Sequence, residues 1–459
     1  MQTLADTILQ EDIHTIRLLL NAGEPASQLD EYGFTPLIEA AIVDNIDIVK
    51  LLLSHHADPN QQDVTGGTAL HWAAENNNLA MCELLLAHHA NPNACTFSGQ
   101  PILVMPTLRQ QHSLKQLLYK HGADQLFAQD FINTKLLGHV FELVGTANIV
   151  NAQHQFVEVD FEGFFIEVTL GLVADSLFQF QNHFAARQLR RYAGLSHLIV
   201  AAIQRASELI KYQQYRVNAQ QHRAKIDALI QQEPLIIPIG YEGHAITFIK
   251  QDNVIAKCDR REESRLYDNV MFYRINQPEK ANAAFIKHLL YEKQSSQFIN
   301  IELPKTLDLQ PITELKIEAQ ISGNCSWANV EACIPAIFFL SVMQMNTQED
   351  LLAYYKTLSL KFFHHWRDWN KNRALQFCIQ SFNEVDPIRK ACKAEILAAI
   401  LFQRCNTLDK PTIIAILDIL AKPPYDYVLQ NYLRTYYYAS PTEEGKYFAE
   451  LLKAYEYLL

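Results

Sequence analysis

Several features common in other protein classes are scarce or missing in this sequence. Gly (15) and Pro (17) are few among 459 residues, which excludes collagenous and linker-rich chains and favours helices. A basic excess is missing. Lys+Arg number 39 and Asp+Glu 50, a formal charge of −11. Direct nucleic-acid binding is therefore not expected as the main activity, because it needs a cationic footprint for phosphate. The eight cysteines include no CxxC pair and do not join histidines at zinc-finger spacing, so no metal or cofactor is implied. P-loop, dinucleotide fingerprint and HExxH are all missing. The N-terminal MQTLADTILQEDIHT lacks a basic start and an apolar core, so no secretory signal is expected. Apolar runs such as Ile334–Val342 are too short for a membrane span.

What remains is a core-forming chain. Hydrophobic residues make up 49% and charged residues 19%, a globular composition, and the length predicts about three domains. Self-similarity organises the first part. LLL falls at Leu18–Leu20, Leu51–Leu53 and Leu84–Leu86, and LLY at Leu117–Tyr119, each step being 33 residues. GFTPLIEAA from Gly33, GGTALHWAA from Gly66 and GQPILVMPT from Gly99 keep the same step. So do HHADPN from His55, HHANPN from His88 and HGAD from His121. Three patterns locked to one period resemble ankyrin repeats. Thr-Pro-Leu opens a helix with proline in the first turn, where a missing N–H costs little. The paired alanines permit close helix packing. The expected array covers residues 1–131, with Leu18, Leu51, Leu84 and Leu117 as equivalent buried positions. Its last repeat is distorted, with Pro101 for Thr and Pro106-Thr107 for the alanines. The resemblance implies a protein-binding platform with contacts at Tyr32, Phe34, Val64, Thr65, Glu75, Asn76, Phe97 and Arg109. The histidine pairs recur with the repeat, so they are read as helix C-terminal residues and not as metal ligands.

After about Ala128 the period stops. LIIPI (Leu235–Ile239), HAITFI (His244–Ile249), VIAKC (Val254–Cys258) and VMFYRI (Val270–Ile275) read as strands. Cys325–Met343 reads as an apolar helix entered through Ser322-Gly323-Asn324. A cysteine at a helix start is the first chemical signal, because unpaired N–H groups stabilise a thiolate there. The second is GHAITFIKQDNVIAKCD, Gly243–Asp259. Pairing Ile249 with Val254 sets His244 directly opposite Asp259, close enough for a carboxylate to orient an imidazole. Arg260 and Arg261 are alternative partners for that carboxylate. Base, orienting acid and thiol together follow the logic of a cysteine hydrolase.

The order His244, Asp259, Cys325 resembles papain-like proteases of permuted order, including those that cleave ubiquitin-like proteins. The resemblance implies Gln320, five residues before Cys325, as the oxyanion-hole side chain. Ala245 departs from it, since these proteases often place a bulky aromatic after the histidine. The expected architecture is multidomain and α-rich. It comprises an ankyrin solenoid (1–131), an α+β papain-like cysteine protease-like domain (132–345) and a helical array (346–459), with a degenerate ankyrin-like arrangement as one form of the last.

The whole is similar to the ankyrin-repeat effectors that intracellular bacteria deliver into eukaryotic hosts. That likeness implies type IV secretion without a signal peptide, and action in the host cytosol or nucleus. It also implies host proteins as partners of the repeats and a peptide or ubiquitin-like substrate for the site. The alternative is a catalytically silent protease-like fold serving as an interaction module.

Overall fold

The computed structural model describes residues 3–161, 166–213, 222–260, 270–320, 324–345 and 351–457. Arg261 and Ser322-Gly323 lie outside these residues. The chain divides into two compact units. The first comprises residues 1–97, 102–123 and 163–369, the second 98–101, 124–162 and 370–459. The boundaries expected after 131 and 345 fall inside these units.

The first unit begins with four helix pairs, from Leu4–Leu9 and Ile13–Asn21 to Val104–Leu108 and His112–Lys120. Local chemistry sets each start. Thr35 accepts from the Ile38 N–H at 3.1 Å, with Pro36 at the first helical position. Asp63 organises the tip between repeats, accepting from the N–H groups of Thr65 (2.7 Å) and Gly67 (2.9 Å). His56 and His89 adopt φ of 64° and 67° just past their helices, the left-handed ending that closes a helix. The buried leucines differ from expectation. Leu18 is 55% exposed, and Leu51, Leu84 and Leu117 are only half-buried. The second leucine of each later triplet, Leu52, Leu85 and Leu118, is fully buried. The distorted repeat keeps a first helix of only five residues. That helix packs closely on helix Ile166–Asn182, where a Cβ on Gly171 would meet Leu108 at 3.2 Å.

Seven strands occur among the described residues. β1 (Thr146–Val150) and β2 (Phe156–Asp160) form one antiparallel hairpin. β3 (Leu235–Tyr241), β4 (His244–Gln251), β5 (Val254–Cys258), β6 (Val270–Ile275) and β7 (Leu309–Leu315) form an antiparallel meander in that order. One face of the meander carries Ile237, Ile239, Ile246 and Phe248 into a core with Leu209, Ile226, Ile286 and Leu289. The helix Cys325–Met345 packs across β4 and β5, with Phe339 and Phe272 ring centroids 4.8 Å apart. It is apolar on nearly every side, as a helix enclosed by protein must be. Its length and composition would suit a membrane span, but 94% of that stretch is buried within the protein.

The second unit holds helix Gln125–Val140, the β1–β2 hairpin and the C-terminal helices. Residues 124–162 join the C-terminal helices because β1 packs on both Gln125–Val140 and Pro387–Gln403. Arg389, nearly buried, ties them together through Asp130 (3.0 Å), Asp124 (3.1 Å) and the Val150 carbonyl (3.2 Å). One long helix runs Leu352–Gln380.

Candidate active site

The β3–β4 turn is two residues, Glu242 and Gly243, with φ of 48° and 78°, the conformation that a tight hairpin needs. It sets Tyr241 opposite His244, and their rings meet edge to face, centroids 5.7 Å apart. The β4–β5 turn is also two residues, because Gln251 pairs with Val254. The expected register of Ile249 with Val254 is therefore displaced. Thr247 faces Cys258 at the end of the ladder, which makes Asp259 a diagonal neighbour of His244 and not a direct one. The contact forms nevertheless. His244 Nε2 and Asp259 Oδ1 are 3.0 Å apart, with side chains 12% and 9% exposed.

Cys325 is half-buried at the first position of its helix, and Asn324 begins the helical ladder by accepting from Ala328 N at 2.9 Å. The Cys325 thiol titrates below the ordinary cysteine value. The main cause is its hydrogen bond with His244, opposed by burial and helped by the backbone N–H groups of Ala245 and Ser326. Burial moves Cys82, Cys95, Cys333, Cys378, Cys392 and Cys405 the other way, Cys82 and Cys392 to about 12 and Cys378 to about 11.

Of the two arginines expected beside Asp259, Arg261 lies outside the described residues. Lys257 Nζ lies 3.3 Å from Asp259 Oδ2. Arg260, fully buried, directs its guanidinium to the Glu318 carbonyl (2.7 Å) and Glu331 (3.3 Å). Gln320 is drawn alongside by its backbone, donating to the Arg260 carbonyl at 2.9 Å. Its Oε1 is buried without a hydrogen-bond partner among the described residues. No group of three or more metal-ligating side chains occurs among the described residues. Sequence reasoning missed Tyr241, Lys257 and Asn329. Asn329 stands one helical turn after Cys325, a spacing that places it on the same face.

The expected ankyrin contacts separate into two sets. Tyr32, Val64 and Phe97 are exposed at 37%, 62% and 70%, and Thr65 is exposed beside them. The others serve the fold. Phe34 is half-buried with its ring edge to face on Trp72. Asn76 donates to the Ala41 carbonyl of the preceding repeat at 2.9 Å. Arg109 is held between Glu75, at 2.8 Å, and Glu167, so Glu75 and Arg109 are spent inside the unit.

A family model for ankyrin repeats (many copies) matches residues 39–86. No curated protein matches the sequence. The structure of the Legionella effector AnkH matches with a TM-score of 0.91 and 42% identity, covering 98% of this chain and 97% of that one. The chain belongs to the AnkH family. The likeness to AnkH runs far beyond the repeats, through the meander, the Cys325 helix and the C-terminal helices. The expected sequence of parts, ankyrin repeats, a mixed central region and a helical C-terminus, is the architecture found.

Proposed function

We propose that this AnkH-family chain is an effector acting in the host cell, delivered by type IV secretion and reaching the host cytosol or nucleus. Its ankyrin repeats bind a host protein. Its central region works as a papain-like cysteine protease or isopeptidase. The observation that supports the enzymatic reading is the 3.0 Å contact of His244 Nε2 with Asp259 Oδ1, beside a Cys325 thiol whose pKa is lowered chiefly by His244. In this reading His244 takes the Cys325 proton, and the thiolate adds to a peptide or isopeptide carbonyl. The oxyanion draws on backbone N–H and the Gln320 amide. His244 then protonates the departing amine, and water hydrolyses the thioester with His244 as base. The repeats present Tyr32, Val64 and Phe97 to the partner, aromatic and apolar groups of the kind that anchor interfaces.

The test is reaction of the full chain with thiol-directed peptide and ubiquitin-like probes, with Cys325→Ser and His244→Ala as controls. The expected result is one adduct, at Cys325, lost in both variants. An assembled series that labels with iodoacetamide but accepts no acyl probe would instead favour the silent interaction module.

A further inference from the structure

One amide joins the segments that bring Cys325, His244 and Asp259 together. Asn329 Nδ2 donates to the Ala245 carbonyl at 2.6 Å, and Asn329 Oδ1 accepts from the Arg260 N–H at 2.9 Å. Ala245 directly follows His244 and Arg260 directly follows Asp259. Asn329 itself is carried by the Cys325 helix, four residues on. The contact is almost fully buried, Asn329 being 1% exposed, so both bonds form away from water, where a lost partner costs most.

We infer that Asn329 is a positioning residue, whose carboxamide sets the spacing of the His244–Asp259 pair against Cys325. The inference rests on the hydrolase reading above. Its geometry uses both ends of the amide. A donor and an acceptor are needed on one short side chain, because one strand end presents a C=O and the other an N–H. Without the amide, neither strand end keeps a polar link to this turn of the helix through residue 329. Arg260 still holds its own strand end through Glu331 and the carbonyls of Glu318 and Ala328. Loss of Asn329 should therefore free the His244 side more than the Asp259 side, and the fold should survive.

The experiment uses the full chain and the pH profile of Cys325 alkylation by iodoacetamide, followed by mass spectrometry of the Cys325 peptide, with thermal unfolding in parallel. The variants are Asn329→Ala, Asn329→Asp and His244→Ala. Asn329→Asp has the same size and keeps the acceptor for Arg260, but sets a carboxylate against the Ala245 carbonyl. It carries the test if Asn329→Ala does not fold. The expected result is a half-reaction pH raised by about one unit in both Asn329 variants, a tenfold loss of thiolate at a given pH below it, with cooperative unfolding retained and Cys95 and Cys405 unaffected. If His244→Ala raises the half-reaction pH but a folded Asn329 variant does not, the positioning role is wrong and the hydrolase reading stands. If His244→Ala also leaves it unchanged, the hydrolase reading itself fails.

Discussion

Replacing Asp259 with asparagine keeps the shape of the site and removes one charge. The substituted side chain still presents an oxygen to His244 Nε2, now 3.0 Å from Asp259 Oδ1. What disappears is the attraction between carboxylate and imidazolium. With charge centres roughly 4 Å apart, that attraction is about 4 kcal/mol at an effective dielectric near 20, and about 1 kcal/mol in water. The two side chains are 12% and 9% exposed, so the first figure is nearer. Lys257, 3.3 Å from the other carboxylate oxygen, shares the charge, and burying an imidazolium costs part of the gain. A net loss of about 2 kcal/mol follows, or roughly 1.5 units in the acidity of the thiol whose proton His244 accepts.

The assay is again the alkylation profile of Cys325, from about pH 4 to 10. The whole profile is needed. At a single pH the rate falls less than the thiolate fraction, because a less acidic thiol is the better nucleophile, with a Brønsted slope of about 0.4–0.5. The expected half-reaction pH of Asp259→Asn lies about 1.5 units above that of the parent chain. A shift below about 0.3 unit, with unfolding unchanged, would refute the claim that Asp259 acts on Cys325 through His244.

Leu85→Ala should destabilise the chain by about 2–5 kcal/mol in urea unfolding, because Leu85 is fully enclosed and the cavity persists. Leu84→Ala, next to it and half-buried, should cost less than about 1 kcal/mol, and equal losses would overturn the helix phase described above. Joint replacement of Tyr32, Val64 and Phe97 by serine should abolish enrichment of the host protein that the parent chain captures, at unchanged thermal stability. Lys135 is buried against the Asp160 carbonyl, and burial depresses its amine to about 7 from 10.5. A folded value below the unfolded one means that stability is present above about 10.5 and is lost as pH falls towards 7. Lys135→Met should therefore be more stable than the parent near pH 6, with the advantage shrinking towards pH 10, and an advantage independent of pH would contradict the assignment.

The repeats were legible because one period organises three separate patterns, and no other arrangement satisfies all three. Which leucine of each triplet points inward was not legible. LLL has no internal phase, and the orientation is set upstream, where Asn45 and Asn78 cap their helices by accepting from Ile48 and Met81 N–H groups. Likewise Glu75 and Arg109 occupy positions that face partners in an ordinary array. Here helix Ile166–Asn182 brings Glu167 against Arg109, a tertiary contact that no repeat pattern encodes.

The site shows the same division between local and tertiary information. Reading Lys250–Asn253 as the turn misplaced the register, since Lys250 and Gln251 continue the ladder and only Asp252-Asn253 turn. The error was two residues on β4 and none on β5, since Val254 begins the second strand in both registers. Strand side chains repeat every two residues, so a two-residue error leaves His244 and Asp259 neighbours on one face, and the contact survives as a diagonal one. Asn329 was beyond reach for a different reason. Its role depends on how a helix crosses two strand ends, and nothing local distinguishes it from a capped or solvated asparagine. The cysteines supply the remaining step. Seven of the eight could be exchanged in a composition argument, and a helix start alone does not separate Cys325 from a structural thiol. What separates it is the company of a histidine and two backbone donors, which lower its pKa while burial raises that of six others. A thiol whose only task is packing gains nothing from a histidine held in turn by a nearly buried carboxylate, and that is the ground on which chemistry at sulfur is proposed for Cys325.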